Sequence, residues 1–149
     1  MQNLSQAPEK PVPVMMYGYG GFGSQIQPSF NPAIMPMLDN LGAMYVVANI
    51  RGGDEYGERW HQAGQRENRQ NVFDDFIAAA EYLIQKNYTS PSKLVIKGES
   101  NGGTLVTIVA NQRPDLFAGV VGGVPVTDML RYQKFTGGAF WEGEYGSSD

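Results

Sequence analysis

Gly98-Glu99-Ser100-Asn101-Gly102 lies between two apolar runs, Leu94-Val95-Ile96 before it and Thr104 to Ala110 after it. Nothing else in the chain constrains its fold as much. The five-residue pattern alone is weak, because 19 glycines and 8 serines in 149 residues produce it in roughly one shuffled chain in ten. The flanks carry the weight. A short apolar run reads as a buried strand, and the run that follows reads as a helix. A serine at the junction must therefore sit on a sharp turn between the two. Such a turn brings backbone close to backbone, so the residues two before and two after the serine must be small. Gly98 and Gly102 meet that need.

A serine hydroxyl is a poor nucleophile until a base takes its proton and the geometry holds it against a substrate. A strand–turn–helix elbow supplies the geometry, holding the serine in backbone angles that are normally unfavourable. The helix that follows turns its unpaired N–H groups toward the reaction centre. The Asn101 N–H would then donate to a developing oxyanion. The residues thus resemble the nucleophile elbow of the α/β-hydrolases.

Along the chain, Met1 to Pro11 reads as a polar tail, and residues 12–149 read as one domain. Val12 to Tyr17 is a short apolar strand ending in the glycine-rich loop Tyr17-Gly18-Tyr19-Gly20-Gly21-Phe22-Gly23. Asn31 to Leu41 reads as a helix capped by Asn31, with Pro32 in its first turn and Gly42 at its end. Ala43 to Ile50 is the clearest strand, and Arg51 to Gly57 is a second glycine loop. Val72 to Asn87 carries Phe73, Phe76, Ile77, Ala80, Leu83 and Ile84 on one helical stripe. The strand Leu94–Lys97 and the elbow helix follow, the helix stopping near Arg113-Pro114. Ala118 to Val124 is a further strand, and Thr127 to Asp149 shows no clear element. Strands that read as continuous apolar runs and alternate with helices predict a parallel sheet with helices on both faces. Ligands of such sheets sit at the C-terminal strand ends. Both glycine loops and the elbow occupy such ends.

Composition narrows the chemistry. The net charge is −4 with no basic stripe, which gives nucleic-acid binding no support. There is no cysteine, hence no disulfide framework and no thiolate chemistry. No metal-ligand cluster and no phosphate loop of the Walker type is visible, so no cofactor is expected. The run Val12 to Tyr17 is too short for a signal peptide or a membrane span. A cytoplasmic location is the expectation.

Several segments together resemble the catalytic domain of the prolyl oligopeptidases, serine peptidases of the α/β-hydrolase class. They are Tyr17-Gly18-Tyr19-Gly20-Gly21-Phe22, then Asn49 to Gly57, Asn71 to Phe76, Gly98 to Gly103 and Asn111 to Phe117, and the close from Asp128-Met129-Leu130 through Tyr145-Gly146-Ser147-Ser148-Asp149. The resemblance runs from about Val12 to Asp149. It implies cleavage of short peptides after proline, with Ser100 as nucleophile and the Tyr19 hydroxyl as the second oxyanion donor beside the Asn101 N–H. It also implies that Phe22, Asn101, Val126, Trp141 and Tyr145 line the pocket for the proline ring. An aromatic slot suits that flat, apolar ring. Without the resemblance, Phe22, Trp141 and Tyr145 read more readily as ordinary core or surface aromatics than as pocket residues, and Tyr19 as a turn residue. Glu99 departs from the family, which has glycine there.

A serine triad in this fold runs serine, then acid, then histidine along the chain. The single histidine is His61, upstream of the elbow, and it reads as structural or surface. Of the acids after Ser100, namely Asp115, Asp128, Glu142, Glu144 and Asp149, none matches the family's triad acid. Asp128 and Asp149 read as turn or cap residues. The resemblance places the acid and the base beyond Asp149. The expectation is thus a truncated hydrolase domain without its last strands or a β-propeller, inactive by itself. Its open sheet edge would invite the missing segment or a second copy. A generic esterase and a non-catalytic binding piece are the alternatives.

Overall fold

The computed structural model describes residues 8–147. The first seven residues of the expected tail, and Ser148 and Asp149 at the other end, lie outside the described residues.

Four short strands form one parallel sheet: β1 (Val14–Tyr17), β2 (Met44–Val47), β3 (Leu94–Glu99) and β4 (Gly119–Gly123). Their spatial order is β2-β1-β3-β4. Tyr17 lies beside Val47 on one side and Lys97 on the other. β1 and β2 therefore end at one level, β3 runs two residues beyond it, and the loops that leave them share one rim.

Five helices accompany the sheet: α1 (Met35–Leu41), α2 (Glu58–Gln62), α3 (Gln70–Gln85), α4 (Asn101–Gln112) and α5 (Glu142–Tyr145). The stripe on α3 buries Val72, Phe73, Phe76, Ala80 and Leu83. These meet Val14, Met16, Leu94 and Ile96 from alternate positions of β1 and β3, and Leu105, Val106 and Val109 from α4. Phe76 is wholly buried, and Gly18 lies flat against its ring, since a Cβ there would stand 2.5 Å from Phe76 Cε2. The chain steps one way from β1 to β2 and the other way to β3 and β4. Right-handed crossovers then put α1 on the face opposite α3 and α4. That second face is thinly covered. Tyr17, Tyr45, Val47, Lys97 and Glu99 line a cavity of about 670 Å³ together with Asn31 and Ile34, which precede α1.

The strands are shorter than the apolar runs suggest. Val12 leaves the sheet, its N–H donating to the Tyr88 carbonyl (3.0 Å), and Pro13 has no N–H to give. β2 stops at Val47, although Ile50 still turns its side chain into the core. β3 instead runs two residues further than Lys97, because Gly98 and Glu99 pair with Gly122 and Gly123 of β4. Asn31 caps as expected, its side chain accepting from the Ala33 N–H (3.0 Å). The first turn, Pro32–Ile34, is 3-10 rather than α, and Gly42 closes the helix in the left-handed region at φ 58°. The segment after Thr127 is more ordered than its pattern suggests. It holds the 3-10 turns Tyr132–Lys134 and Gly138–Trp141 and then α5. No helix among the described residues is long and apolar enough to cross a membrane.

Candidate active site

Ser100 sits between β3 and α4 with φ 54° and ψ −119°, a left-handed conformation that costs a non-glycine residue about 1–3 kcal/mol. Its surroundings enforce it. The Ser100 N–H donates to the Gly123 carbonyl (2.8 Å), and its carbonyl accepts from the Thr104 N–H (3.1 Å). A Cβ on Gly98 would stand 2.0 Å from the Gly102 carbonyl oxygen, and one on Gly102 would stand 2.5 Å from that of Gly18. Both positions therefore admit only glycine. Ser100 is exposed to solvent, at the head of a helix whose first N–H is that of Asn101.

Six of the seven residues named from sequence line one cavity of about 270 Å³: Tyr19, Phe22, Ser100, Val126, Trp141 and Tyr145. Each arrives by a different route. Tyr19 and Phe22 ride the loop after β1, which packs against the loop after β2. The Gly23 N–H donates to the Gly52 carbonyl (3.1 Å), and a Cβ on Gly52 would lie 2.5 Å from the Gly20 carbonyl oxygen. Arg51 braces that second loop by a two-pronged pair to Asp75 on α3, at 2.7 and 2.5 Å. Phe22 itself holds φ 57°. Val126 follows β4 and is pinned to α4 by Thr104, whose hydroxyl donates to its carbonyl (2.8 Å) and accepts from its N–H (2.9 Å). Trp141 and Tyr145 come from the last 3-10 turn and α5. Phe22 and Tyr132 both meet the Tyr145 ring edge-on, at 5.5 and 5.4 Å.

The seventh residue, Asn101, lies beneath the cavity and is wholly buried. Its Nδ2 donates to the Tyr19 carbonyl (2.6 Å). Its Oδ1 accepts from the Tyr145 hydroxyl (2.8 Å) and from Arg69 Nη2. The side chain thus joins two walls of the cavity.

Arg69 lies in no motif, and Glu144 reads from sequence only as one of the acids after Ser100 that match no triad position; the two stand 75 residues apart. Glu144 is buried and accepts from Arg69 Nη1 (3.0 Å), Gln65 Nε2 (3.2 Å) and the His61 imidazole, whose Nε2 lies 2.9 Å away. The other nitrogen of His61 faces Glu58 at 3.9 Å. Both nitrogens of the single histidine thus face carboxylates. The Arg69 guanidinium also lies over the Tyr145 ring, 5.1 Å from its centroid. Burial draws the Arg69 pKa below its usual value, with Tyr145 and Glu144 opposing. Burial likewise pushes the Tyr145 phenol up to about 12, with Arg69 opposing. That phenol is a neutral donor at physiological pH. Asp128 pairs with Arg131 across one turn (2.8 Å) and serves as the turn residue its sequence suggests.

The sequence profile of the prolyl oligopeptidase family matches residues 28–149. A prolyl endopeptidase of Dictyostelium discoideum is 52% identical over 137 residues, which are 92% of this chain and 18% of that protein. Prolyl oligopeptidase A of Galerina marginata is 47% identical over 138 residues, covering 92% of this chain and 19% of its own length. Among solved structures, a prolyl endopeptidase superposes with a TM-score of 0.92 at 49% identity, over 97% of this chain and 21% of that one. Oligopeptidase B of Trypanosoma brucei, solved in its closed form with covalently bound antipain, gives 0.90 at 38% identity, with 97% and 21% covered. The chain spans about a fifth of the length of these relatives. The matched sequence, the shared fold and the serine elbow agree: the chain belongs to the prolyl oligopeptidase family.

Proposed function

We propose that these residues form the nucleophile half of a serine peptidase site that cleaves short peptides on the carboxyl side of proline. One observation carries the reading. The cavity that holds Ser100 and Tyr19 is also walled by Phe22, Val126, Trp141 and Tyr145. A nucleophile, an oxyanion donor and an apolar slot thus share one small space. In the proposed reaction the proline ring enters the slot and its carbonyl carbon faces Ser100 Oγ. The new C–O bond forms as the serine proton passes to a base, and negative charge moves to the carbonyl oxygen. The Asn101 N–H and the Tyr19 hydroxyl receive that charge. Collapse of the intermediate expels the amine, which takes a proton, and water then releases the acyl group.

The one histidine of the 149 residues, bonded to Glu144, does not line the cavity that holds Ser100, so the base of this reading is not His61. Absence of the base lowers turnover by about 10⁴ to 10⁶, so the chain alone should be nearly inactive. Its chemistry is tested in a chimaera, the Dictyostelium prolyl endopeptidase with its matching segment replaced by these residues. The expected result is cleavage of a post-proline peptide bond, faster than cleavage of a simple acyl ester and abolished by Ser100→Ala. A folded chimaera whose Ser100 reacts with a fluorophosphonate, yet which leaves proline peptides intact, would overturn the reading. Cleavage by the 149-residue chain at the chimaera's rate would overturn the expectation that it is nearly inactive.

A further inference from the structure

Among the described residues, Arg69 is the charged side chain that touches both the residue after Ser100 and the wall of the cavity. Its Nη2 donates to Asn101 Oδ1, and its guanidinium covers the Tyr145 ring. Its own place is fixed from behind. Glu144 Oε1 accepts from Nη1 at 3.0 Å, the Gly64 carbonyl accepts from the same nitrogen at 3.3 Å, and Glu144 is held by His61 and Gln65. The loop after β1 closes over the group, since a Cβ on Gly21 would meet Asn101 Nδ2 at 2.5 Å and Arg69 Nη1 at 3.1 Å. Four segments meet here: that loop, the N-terminus of α3 at Arg69, the N-terminus of α4 at Asn101, and α5 at Glu144 and Tyr145.

We propose that Arg69, anchored by Glu144, is a positioning residue of the peptidase site: it clamps Asn101 and Tyr145 and so sets the oxyanion N–H and the proline slot relative to Ser100. A buried cation on a carboxylate is a poor choice for stability alone, since well-packed apolar groups of the same volume do as well. Its Nη2 here goes to the amide that ties Tyr19, Tyr145 and α4 together. An amide oxygen held by two donors, on a nitrogen-to-carbonyl bridge, has one orientation. Losing one donor frees the side chain to rotate, and with it the first turn of α4. Displacements of about 1 Å at a reacting centre cost on the order of 10²-fold in rate. The oxyanion N–H acts on charge that develops only in the transition state, so its displacement should appear more in kcat than in KM.

The proposal rests on the peptidase reading above, and the experiment separates the two. In the Dictyostelium chimaera, active-site titration with a fluorophosphonate counts competent serines, so kcat is expressed per titrated site. Arg69→Met should lower kcat per site by about tenfold or more with a smaller change in KM. Arg69→Lys should restore part of it. Arg69→Met and Tyr145→Phe should be non-additive, because both act through Asn101 Oδ1. A purely stabilising role would reduce the number of titrated sites and leave kcat per site unchanged, and that result overturns the proposal. Should Arg69→Met yield no titratable enzyme, Glu144→Gln keeps the test alive. It loosens the anchor without removing the guanidinium, and unchanged kcat per site in that variant also overturns the proposal. In the 149-residue chain, hydrogen exchange of the Asn101 side-chain amide gives a readout free of activity. It should quicken at least tenfold in Glu144→Gln, and unaltered exchange counts against the clamp. A chimaera with Arg69 intact that never cleaves after proline refutes the peptidase reading instead, while the exchange result still stands or falls by itself.

Discussion

At the scale of single residues, the site separates into what a motif announces and what only packing reveals. Ser100, Gly98 and Gly102 are announced, because a turn with φ 54° at its serine requires glycine on both sides. Gly98→Ala forces a Cβ to within 2.0 Å of the Gly102 oxygen, a clash no rotamer relieves. The variant should lose fluorophosphonate labelling in the chimaera even where circular dichroism still reports a folded protein. Tyr19 and Phe22 became legible through the resemblance, since nothing in a glycine-rich loop says which aromatic faces a cavity. Arg69 and Glu144 were not legible, because their pairing joins two segments that only the tertiary fold brings together. Tyr19→Phe should lower kcat of the chimaera by about 10²- to 10³-fold with little change in KM, as expected for one oxyanion donor. An unchanged kcat would make Tyr19 a turn residue. His61 offers the complementary test. On the proposed reading His61, bonded to Glu144 and outside the lining of the Ser100 cavity, is not the proton acceptor, and glutamine can still donate to that carboxylate. His61→Gln should therefore leave the acidic limb of the pH–rate profile in place. A base loses activity as falling pH protonates it, so disappearance of that limb in the variant would identify His61 as the base.

At the scale of elements, hydrophobic periodicity located every strand and the three longer helices but misjudged their ends. The reason differs at each. β3 gains two residues from pairing with β4, which no local signal reports. β1 loses two because Pro13 cannot donate and Val12 turns to Tyr88. Of the stripe read on α3, Phe73, Phe76, Ala80 and Leu83 are buried at helical spacing, Ile77 and Ile84 pack half-buried at its margin, and Val72 joins it one turn before Phe76. The segment after Thr127 was read as featureless because its turns are short and lack a stripe. Its order comes from contacts at a distance, with Tyr132 bonded to the Gly146 carbonyl and Glu144 to Arg69. The load on α3 can be measured. Phe76 touches Gly18 and lies among Met16, Leu94 and Leu105 with no exposed surface, so Phe76→Ala should cost about 3–5 kcal/mol. Urea unfolding of the 149-residue chain should show that loss as a lower midpoint at an unchanged slope. A cost below 1 kcal/mol (roughly one exposed position) would mean the sheet and α3 do not pack as one core.

At the scale of the whole molecule, the sheet is covered unequally. α3 and α4 bury one face, whereas Tyr17, Tyr45 and Val47 border an open cavity on the other. Among the described residues β4 pairs only with β3, and Val120 and Val121 along it are more than two-fifths exposed. An apolar strand with an unpaired edge is a template for another strand, and the relatives are about five times as long as this chain. The family segment that follows the matched region, expressed separately, should therefore dock beside β4. Burial of apolar surface at about 25 cal/mol per Å² supplies the drive. Docking would bring the family's histidine within hydrogen-bond reach of Ser100, which already has its elbow, the Asn101 N–H and Tyr19 around it. The mixture should then regain fluorophosphonate labelling, and Ser100→Ala should erase it. Charged substitutions at Val120 and Val121 should weaken the association without touching the elbow. Two pieces that bind while Ser100 stays unlabelled would refute the elbow as a working nucleophile. Failure to associate, with both pieces folded by circular dichroism, would show that β4 is not the joining edge.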